Sequence, residues 1–203
     1  GNWWQKYPSF SADSKSLIFS GRIDTVANTI SISSIDIETN IITDVVTDSL
    51  GMTKRYYFRH PRFHPNGEKI YYLLYDRNSV ERKSKLYSVN IDGTEKTLLY
   101  EGYMIDTAVA FSEDGTKMVF RSNYQLYTIN ENNEINGLNI TTGLCDTKIS
   151  KSGSKILYRY DGWKIVDYNG LHKKSICRGK NAAFSSDDSK IFVVKEKRIS
   201  LVK

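Results

Sequence analysis

The chain repeats a short phrase five times along its 203 residues, and this repetition constrains its fold more than any other feature. Each copy begins with an apolar residue and continues through a serine or histidine into a turn rich in Asp, Asn, Ser and Gly. The copies begin at Phe10, Phe63, Phe111, Ile149 and Phe184. Self-similarity at a spacing of some tens of residues indicates a solenoid, a propeller or another repeat array. The sequence therefore predicts one supersecondary unit used several times.

Each copy of the phrase predicts a β-hairpin. Asn66-Gly67 and Asp114-Gly115 are strong turn signals, because such turns require a positive φ that Gly, Asn and Asp tolerate. A short apolar run follows the turn, as at residues 70–74 and 191–194, and its length suits a buried strand rather than a helix. A third strand and a more polar fourth strand complete each unit. The repeat therefore predicts a four-stranded sheet.

The predicted sheets form the blades of an all-β propeller that occupies residues 1–203 as a single domain. The fifth unit ends after its third strand, so we expect residues 1–6 to supply its outer strand and close a ring. This arrangement predicts five blades, and the alternatives are six blades or an incomplete propeller. The predicted blades span residues 7–48, 56–100, 107–143, 146–178 and 181–203.

The phrase Phe-Ser-x-Asp-Gly-x-Lys, followed by an apolar strand and Leu-Tyr-x-x-Asn, resembles the WD40-like repeat of TolB-type β-propellers. Residues 111–116 with 126–130 match it best, whereas the fourth copy departs from it with Ile149 and Lys151-Ser152. The resemblance implies a bacterial protein located outside the cytoplasm, in the periplasm or the cell envelope, and such domains commonly have six blades. It indicates the fold and not the function, because propellers host many unrelated activities.

The net charge of +6 is unevenly distributed over the predicted fold. Cations exceed anions on the face that carries the loops between second and third strands, and residues 76–85 form the longest and most basic of these loops. Such a face attracts acidic partners by electrostatic steering, although a merely solvated basic rim is the alternative. Arginine forks match carboxylates in two-point contacts. The candidate contact residues are Arg77, Arg82, Lys83, Lys85, Arg121 and Arg159, with Arg59 behind them.

The sequence predicts neither a catalytic residue nor a bound metal or cofactor. The three histidines, His60, His64 and His172, lie at predicted turns or strand ends, and no zinc-binding spacing is present. There is also no Gly-x-Ser-x-Gly elbow for a serine nucleophile. No nucleic-acid module matches the chain.

We therefore expect a monomeric, non-catalytic interaction module that binds an acidic protein or glycan. The alternatives are a carbohydrate-active enzyme, such as a lyase with its site at the channel mouth, and an accessory domain of a longer protein. No segment approaches the roughly 18 apolar residues that a membrane span requires. The absence of a starting Met predicts a processed or trimmed chain. Cys145 and Cys177 flank the fourth blade, and their spacing leaves open whether they pair.

Overall fold

The computed structural model describes residues 6–24, 28–49, 56–76, 83–103, 109–143, 147–195 and 198–202. These residues form β-strands and turns, arranged in five antiparallel sheets. Within them there is no helix of the length and apolar character needed to cross a membrane. The chain divides into two compact units, Gly1–Ala108 with two sheets and Val109–Lys203 with three.

The first unit contains two four-stranded sheets whose strands follow the chain order. The first sheet consists of β1 (Lys6–Phe10), β2 (Ser16–Asp24), β3 (Thr29–Asp36) and β4 (Ile42–Ser49). The second consists of β5 (Tyr56–Phe63), β6 (Lys69–Asp76), β7 (Lys83–Asn90) and β8 (Thr97–Tyr103). Their facing side chains form one apolar core, in which Ile18 and Ile32 belong to the first sheet and Phe58, Tyr72 and Leu74 to the second.

The second unit contains three sheets. The third sheet of the chain consists of β9 (Ala110–Phe111), β10 (Lys117–Ser122), β11 (Gln125–Asn130) and β12 (Ile135–Thr141). The fourth consists of β13 (Lys148–Ile149), β14 (Lys155–Arg159), β15 (Trp163–Asp167) and β16 (Lys174–Cys177). The fifth consists of β17 (Asn181–Phe184), β18 (Ile191–Lys195) and β19 (Arg198–Val202). Neighbouring sheets share apolar cores, one containing Val119 and Tyr158 and another containing Leu157 and Val193.

The repeated phrase closes the first hairpin of each sheet, as predicted. In the third sheet the Ser112 hydroxyl donates to the Asp114 carboxylate at 2.6 Å and accepts from the Lys117 N–H at 3.1 Å. Gly115 completes this turn at φ 75°, in the left-handed region that favours glycine. The hydrogen bonds from the Ser112 hydroxyl and the Thr116 N–H lower the pKa of Asp114 below its usual value. The phrase therefore recurs because its serine and aspartate side chains form the hydrogen bonds that hold the turn.

The all-β fold built from four-stranded sheets is confirmed. The last sheet has three strands among the described residues. Residues 1–6 were expected to complete it, and of these, residues 1–5 lie outside the described residues. Lys6 begins β1 and pairs with Ser20 of β2. The number of blades, the closure of the ring and the single domain over residues 1–203 stay predictions.

Candidate functional site

Two prolines interrupt the first strands of the first two sheets at the same place. Pro8 in β1 and Pro61 in β5 each lie two positions before the phenylalanine that opens the phrase. Proline has no N–H to donate to the strand ladder, so within sheets it is confined to edges and bulges. Strand pairing shifts register at both, over residues 6–9 of β1 and residues 59–62 of β5. The first strands of the two sheets therefore carry bulges at matching places.

The residues before these prolines, Tyr7 and His60, contact each other across the two sheets. Both have positive φ, 58° for Tyr7 and 51° for His60, which is unfavourable for residues with a side chain. Their ring centroids lie 3.9 Å apart with the planes tilted by 43°. Backbone strain of this kind costs about 1–3 kcal/mol per residue and clusters at functional sites. The pair therefore marks the junction of β1 and β5 as a candidate site.

An open cleft of about 420 Å³ lies beside this pair. Its described lining combines two cations with four aromatic side chains, namely Lys6, Tyr7, Tyr57, Phe58, Arg59 and Tyr75. The Arg59 guanidinium lies over the Tyr75 ring, 4.6 Å from the centroid, so a cation–π contact orients it. No carboxylate is among the described residues that line the cleft. We call this feature the Arg59 cleft.

The side chains of the Arg59 cleft offer groups that can bind an anion. A guanidinium can donate two parallel hydrogen bonds to one carboxylate, and tyrosine rings offer flat apolar faces with a polar edge. Lys6 adds a second positive charge at the same opening. The arrangement fits a ligand that carries a carboxylate next to a flat or apolar surface.

Among the predicted contact residues of the second sheet, Arg59 lines this cleft, whereas Lys83 and Lys85 are not among its described lining residues. Arg77 and Arg82 lie outside the described residues. Lys83 and Lys85 flank Ser84 in β7, and Ser84 pairs with Tyr75. Since neighbouring side chains on a strand point to opposite faces, both lysines lie on the other face of the sheet from Tyr75. Lys85 also forms an ion pair with Glu101 at 3.5 Å, which partly neutralises it.

Two further predicted contact residues lie in the second unit, and they differ in exposure. Arg121 is only 1% exposed, and its Nη1 donates to the carbonyl of Gly143 at 3.1 Å. The Gly143 N–H in turn donates to the carbonyl of Arg159 in β14. Arg121 therefore fixes the chain segment that follows β12 instead of facing solvent. The Arg159 side chain is exposed.

The remaining polar residues that the sequence singled out take part in local structure. The His64 ring nitrogen hydrogen-bonds the Asn66 side chain at 2.6 Å within its turn. Hydrogen bonds from Lys155 and then His172 lower the pKa of Asp167 below its usual value. Among the described residues, no group of three or more His, Cys, Asp and Glu side chains could hold a metal ion. Cys177 is half-buried, and Cys145 lies outside the described residues.

No protein-family model and no curated protein matches the chain. It is similar in structure to an oligogalacturonate lyase in complex with manganese, with a TM-score of 0.72 and 13% identity over 99% of this chain and 65% of that one. For an oligogalacturonate lyase from Vibrio parahaemolyticus, the TM-score is 0.70 and the identity is 13%, over 99% of this chain and 66% of that one. For TolB from Acinetobacter baumannii, the TM-score is 0.65 and the identity is 16%, over 97% of this chain and 51% of that one.

These similarities show that the chain has a TolB-like β-propeller fold, as the repeat predicted. The chain spans between 51% and 66% of the length of these three proteins. At such low identity the likeness concerns the fold alone.

Proposed function

We propose that the chain is a non-catalytic propeller module that binds an acidic partner, a protein or a glycan, through the Arg59 cleft. The observation that supports this most is the Arg59 guanidinium held over Tyr75 in an open cleft whose described lining has no carboxylate. A cation with no acidic neighbour among the described lining residues attracts an anionic group from solution.

The geometry suggests how one carboxylate would be bound. Arg59 would contact it in a two-point arrangement, and Lys6 would add a second positive charge. A hydrogen bond to a charged group contributes about 1.5–3 kcal/mol, so one or two such contacts account for specificity rather than very tight affinity. The tyrosines would hold the adjoining apolar surface of the ligand. Binding of this type weakens as salt screens the charges.

Exposed cations elsewhere would contribute mainly to the approach of the partner. Lys83 in the first unit and Arg159 in the second are exposed. Arg77, Arg82 and Lys85 belong to the same proposed basic surface, with Lys85 weakened by its pairing with Glu101. A location outside the cytoplasm, which the resemblance of the repeat implies, is part of this proposal.

The test is a calorimetric titration with an acidic oligosaccharide, oligogalacturonate, and with an acidic peptide, oligoglutamate, at low and at high salt. We expect Arg59→Ala to weaken binding of the preferred probe about tenfold, which corresponds to about 1.4 kcal/mol. Arg59→Lys should recover part of this loss, because it keeps the charge but not the fork. The control is Arg178→Ala, which removes an exposed arginine paired with Asp161 at 3.0 Å. Unchanged affinity in Arg59→Ala would refute the proposal.

A second candidate function is a lyase that acts on an acidic sugar, and the likeness to two oligogalacturonate lyases favours it. The same cleft would then bind the substrate before its cleavage. Incubation with oligogalacturonate, with and without manganese, followed by chromatography of the products separates the two candidates. Binding without shortened products supports the module, whereas shortened products that disappear in Arg59→Ala support the lyase.

A further inference from the structure

The turn between β10 and β11 holds a tyrosine in a backbone conformation that favours glycine. This two-residue turn consists of Asn123 at φ 46° and Tyr124 at φ 60°. A hairpin turn with positive φ at both central residues is ordinarily built from Asn-Gly, because glycine has no side chain to clash with the backbone. For a bulky residue such a φ is a genuine outlier. In the fourth sheet the turn between β14 and β15 follows the rule, with Gly162 at φ 106°.

Tyr124 shares this strain with a residue of the Arg59 cleft. Among the described residues, Tyr7 and Tyr124 are the two tyrosines with positive φ. Tyr124 belongs to the second unit and is 41% exposed. Strained residues persist only where the surrounding structure holds them, and they cluster at functional sites. A tyrosine at this position costs stability and leaves much of its surface in solvent, so packing alone does not account for it.

Neighbouring residues hold Tyr124 in place. Its carbonyl accepts a hydrogen bond from the Thr142 N–H at 2.6 Å. The buried Arg121 guanidinium lies over its ring, 5.8 Å from the centroid, within the range of a cation–π contact. Both the backbone and the side chain of Tyr124 are therefore positioned before any ligand arrives. A preorganised residue of this kind loses less conformational freedom on binding, which favours a role in recognition.

The same chain segment places Arg159 beside this turn. Gly143, which follows Thr142, donates its N–H to the carbonyl of Arg159 at 2.5 Å. Two adjacent residues thus join the backbone of the β10–β11 turn to the end of β14. Arg159 is exposed, and the residue after it, Tyr160, is 50% exposed. An arginine and two tyrosines therefore lie on neighbouring turns of the third and fourth sheets.

We propose that Tyr124, Arg159 and Tyr160 form a second binding surface, which recognises an acidic segment of a protein partner. Tyrosine and arginine are enriched among the residues that contribute most to the energy of protein interfaces. The Arg159 guanidinium supplies the two-point donor for a carboxylate. The acid of the adjoining turn, Asp161, is bound by Arg178 at 3.0 Å. This surface lies within the second unit, so it does not depend on the cleft of the first unit.

The first part of the test separates the backbone strain from the ring. Tyr124→Ala and Tyr124→Gly both remove the ring, but only glycine also relieves the left-handed backbone. We expect the urea midpoint of Tyr124→Gly to lie above that of Tyr124→Ala. The matched control is Tyr103, a 43% exposed residue of β8, where the glycine variant should be less stable than the alanine variant. Equal midpoints of the two Tyr124 variants would show that the position is not strained and would overturn the proposal.

The second part measures binding by calorimetric titration with oligoglutamate at low salt. It uses the Arg59→Ala chain, so that failure of one site does not hide the other. We expect Tyr124→Gly and Arg159→Ala each to raise the dissociation constant about tenfold, as for a major interface residue, and Tyr103→Gly to leave it unchanged. Absence of binding in the Arg59→Ala chain, or unchanged affinity in Tyr124→Gly, would overturn the proposal. Tighter binding of oligogalacturonate than of oligoglutamate would overturn it in favour of a glycan.

Discussion

The carboxylate of Asp188 binds the turn of the preceding repeat, where its Oδ2 accepts a hydrogen bond from the Ser152 N–H at 2.7 Å. Its Oδ1 accepts another from the Lys151 N–H at 2.7 Å, and the Lys151 ammonium forms an ion pair with Glu113 of the repeat before at 2.8 Å. Three successive turns are therefore linked in the second unit. Asp188 makes this link from φ 57°, at the position where three other copies of the phrase have glycine.

Replacement of Asp188 tests the link between the turns. We expect Asp188→Ala to destabilise the second unit by about 1–2 kcal/mol, because two backbone N–H groups lose a charged acceptor. Asp188→Asn, which keeps one oxygen acceptor, should cost less. Urea unfolding of the three proteins at neutral pH measures the difference. Equal stability of wild type and Asp188→Ala would show that the link contributes nothing to folding.

The same contact predicts a dependence of stability on pH. Burial raises the pKa of Asp188, but the hydrogen bonds from Ser152 and Lys151 outweigh it, so the pKa of the folded protein lies below the usual value. The ionised carboxylate therefore stabilises the folded protein at pH values above the usual aspartate pKa of about 4. This stabilisation is lost as the pH falls through the pKa that Asp188 has in the folded protein. Thermal unfolding measured between pH 7 and pH 2 should therefore show that acidification lowers the stability of Asp188→Asn less than that of wild type. Parallel curves for the two proteins would contradict this expectation.

Two glycines of the second sheet form a matched pair for a backbone test. A Cβ added at Gly93 would lie 2.4 Å from the carbonyl oxygen of Val45, whereas one added at Gly67 meets nothing within 4 Å. Both have positive φ, 85° and 78°. We expect Gly67→Ala to cost about 1–2 kcal/mol, from the left-handed conformation alone, and Gly93→Ala to cost more because the backbone must also shift. Urea midpoints of the two variants measure this difference, and equal midpoints would mean that the Gly93 turn adjusts freely.

A double-mutant cycle tests the contact between Tyr7 and His60. Tyr7→Ala and His60→Ala should show a coupling energy of about 0.5–1.5 kcal/mol, the range for paired rings. Both single variants should also weaken ligand binding in the Arg59 cleft, because the two bulges shape it. Chemical unfolding gives the coupling energy and titration gives the affinity. Additive effects on stability would show that the rings touch without stabilising each other.

Arg121 and Arg159 should respond very differently to truncation. Arg121→Ala removes a buried side chain and leaves the Gly143 carbonyl without its donor, so we expect a loss of about 2–5 kcal/mol, as for other large buried side chains. Arg159→Ala changes an exposed side chain, so its free energy of unfolding should stay within about 0.5 kcal/mol of the wild-type value. Denaturant unfolding compares them. A small effect of Arg121→Ala would mean that the segment after β12 is held by other contacts.

The phrase and its apolar strands predicted the hairpins and sheets, because a turn such as Ser112–Asp114 is determined by residues close in sequence. A comparison between repeats did not decide the burial of Arg121. Counting the first residue of each phrase as position one, it occupies position eleven, where Ser20 and Leu73 of the first two repeats are both 1% exposed but Arg159 and Val194 of the last two are exposed. The Arg59 cleft was harder to predict, because it depends on a contact between residues 53 positions apart, Tyr7 and His60. The recurrence of Pro8 as Pro61 was its signal in the sequence.

The paired bulges also distinguish the first two sheets from the later repeats. The chain has three prolines, and Pro65 lies in a turn, so Pro8 and Pro61 are the two that interrupt strands. The later copies of the phrase have Val109, Thr147 and Ala182 at the equivalent position, and these residues can adopt ordinary strand backbone. The junction of the first two sheets therefore carries a backbone feature that the equivalent positions of the three later repeats lack.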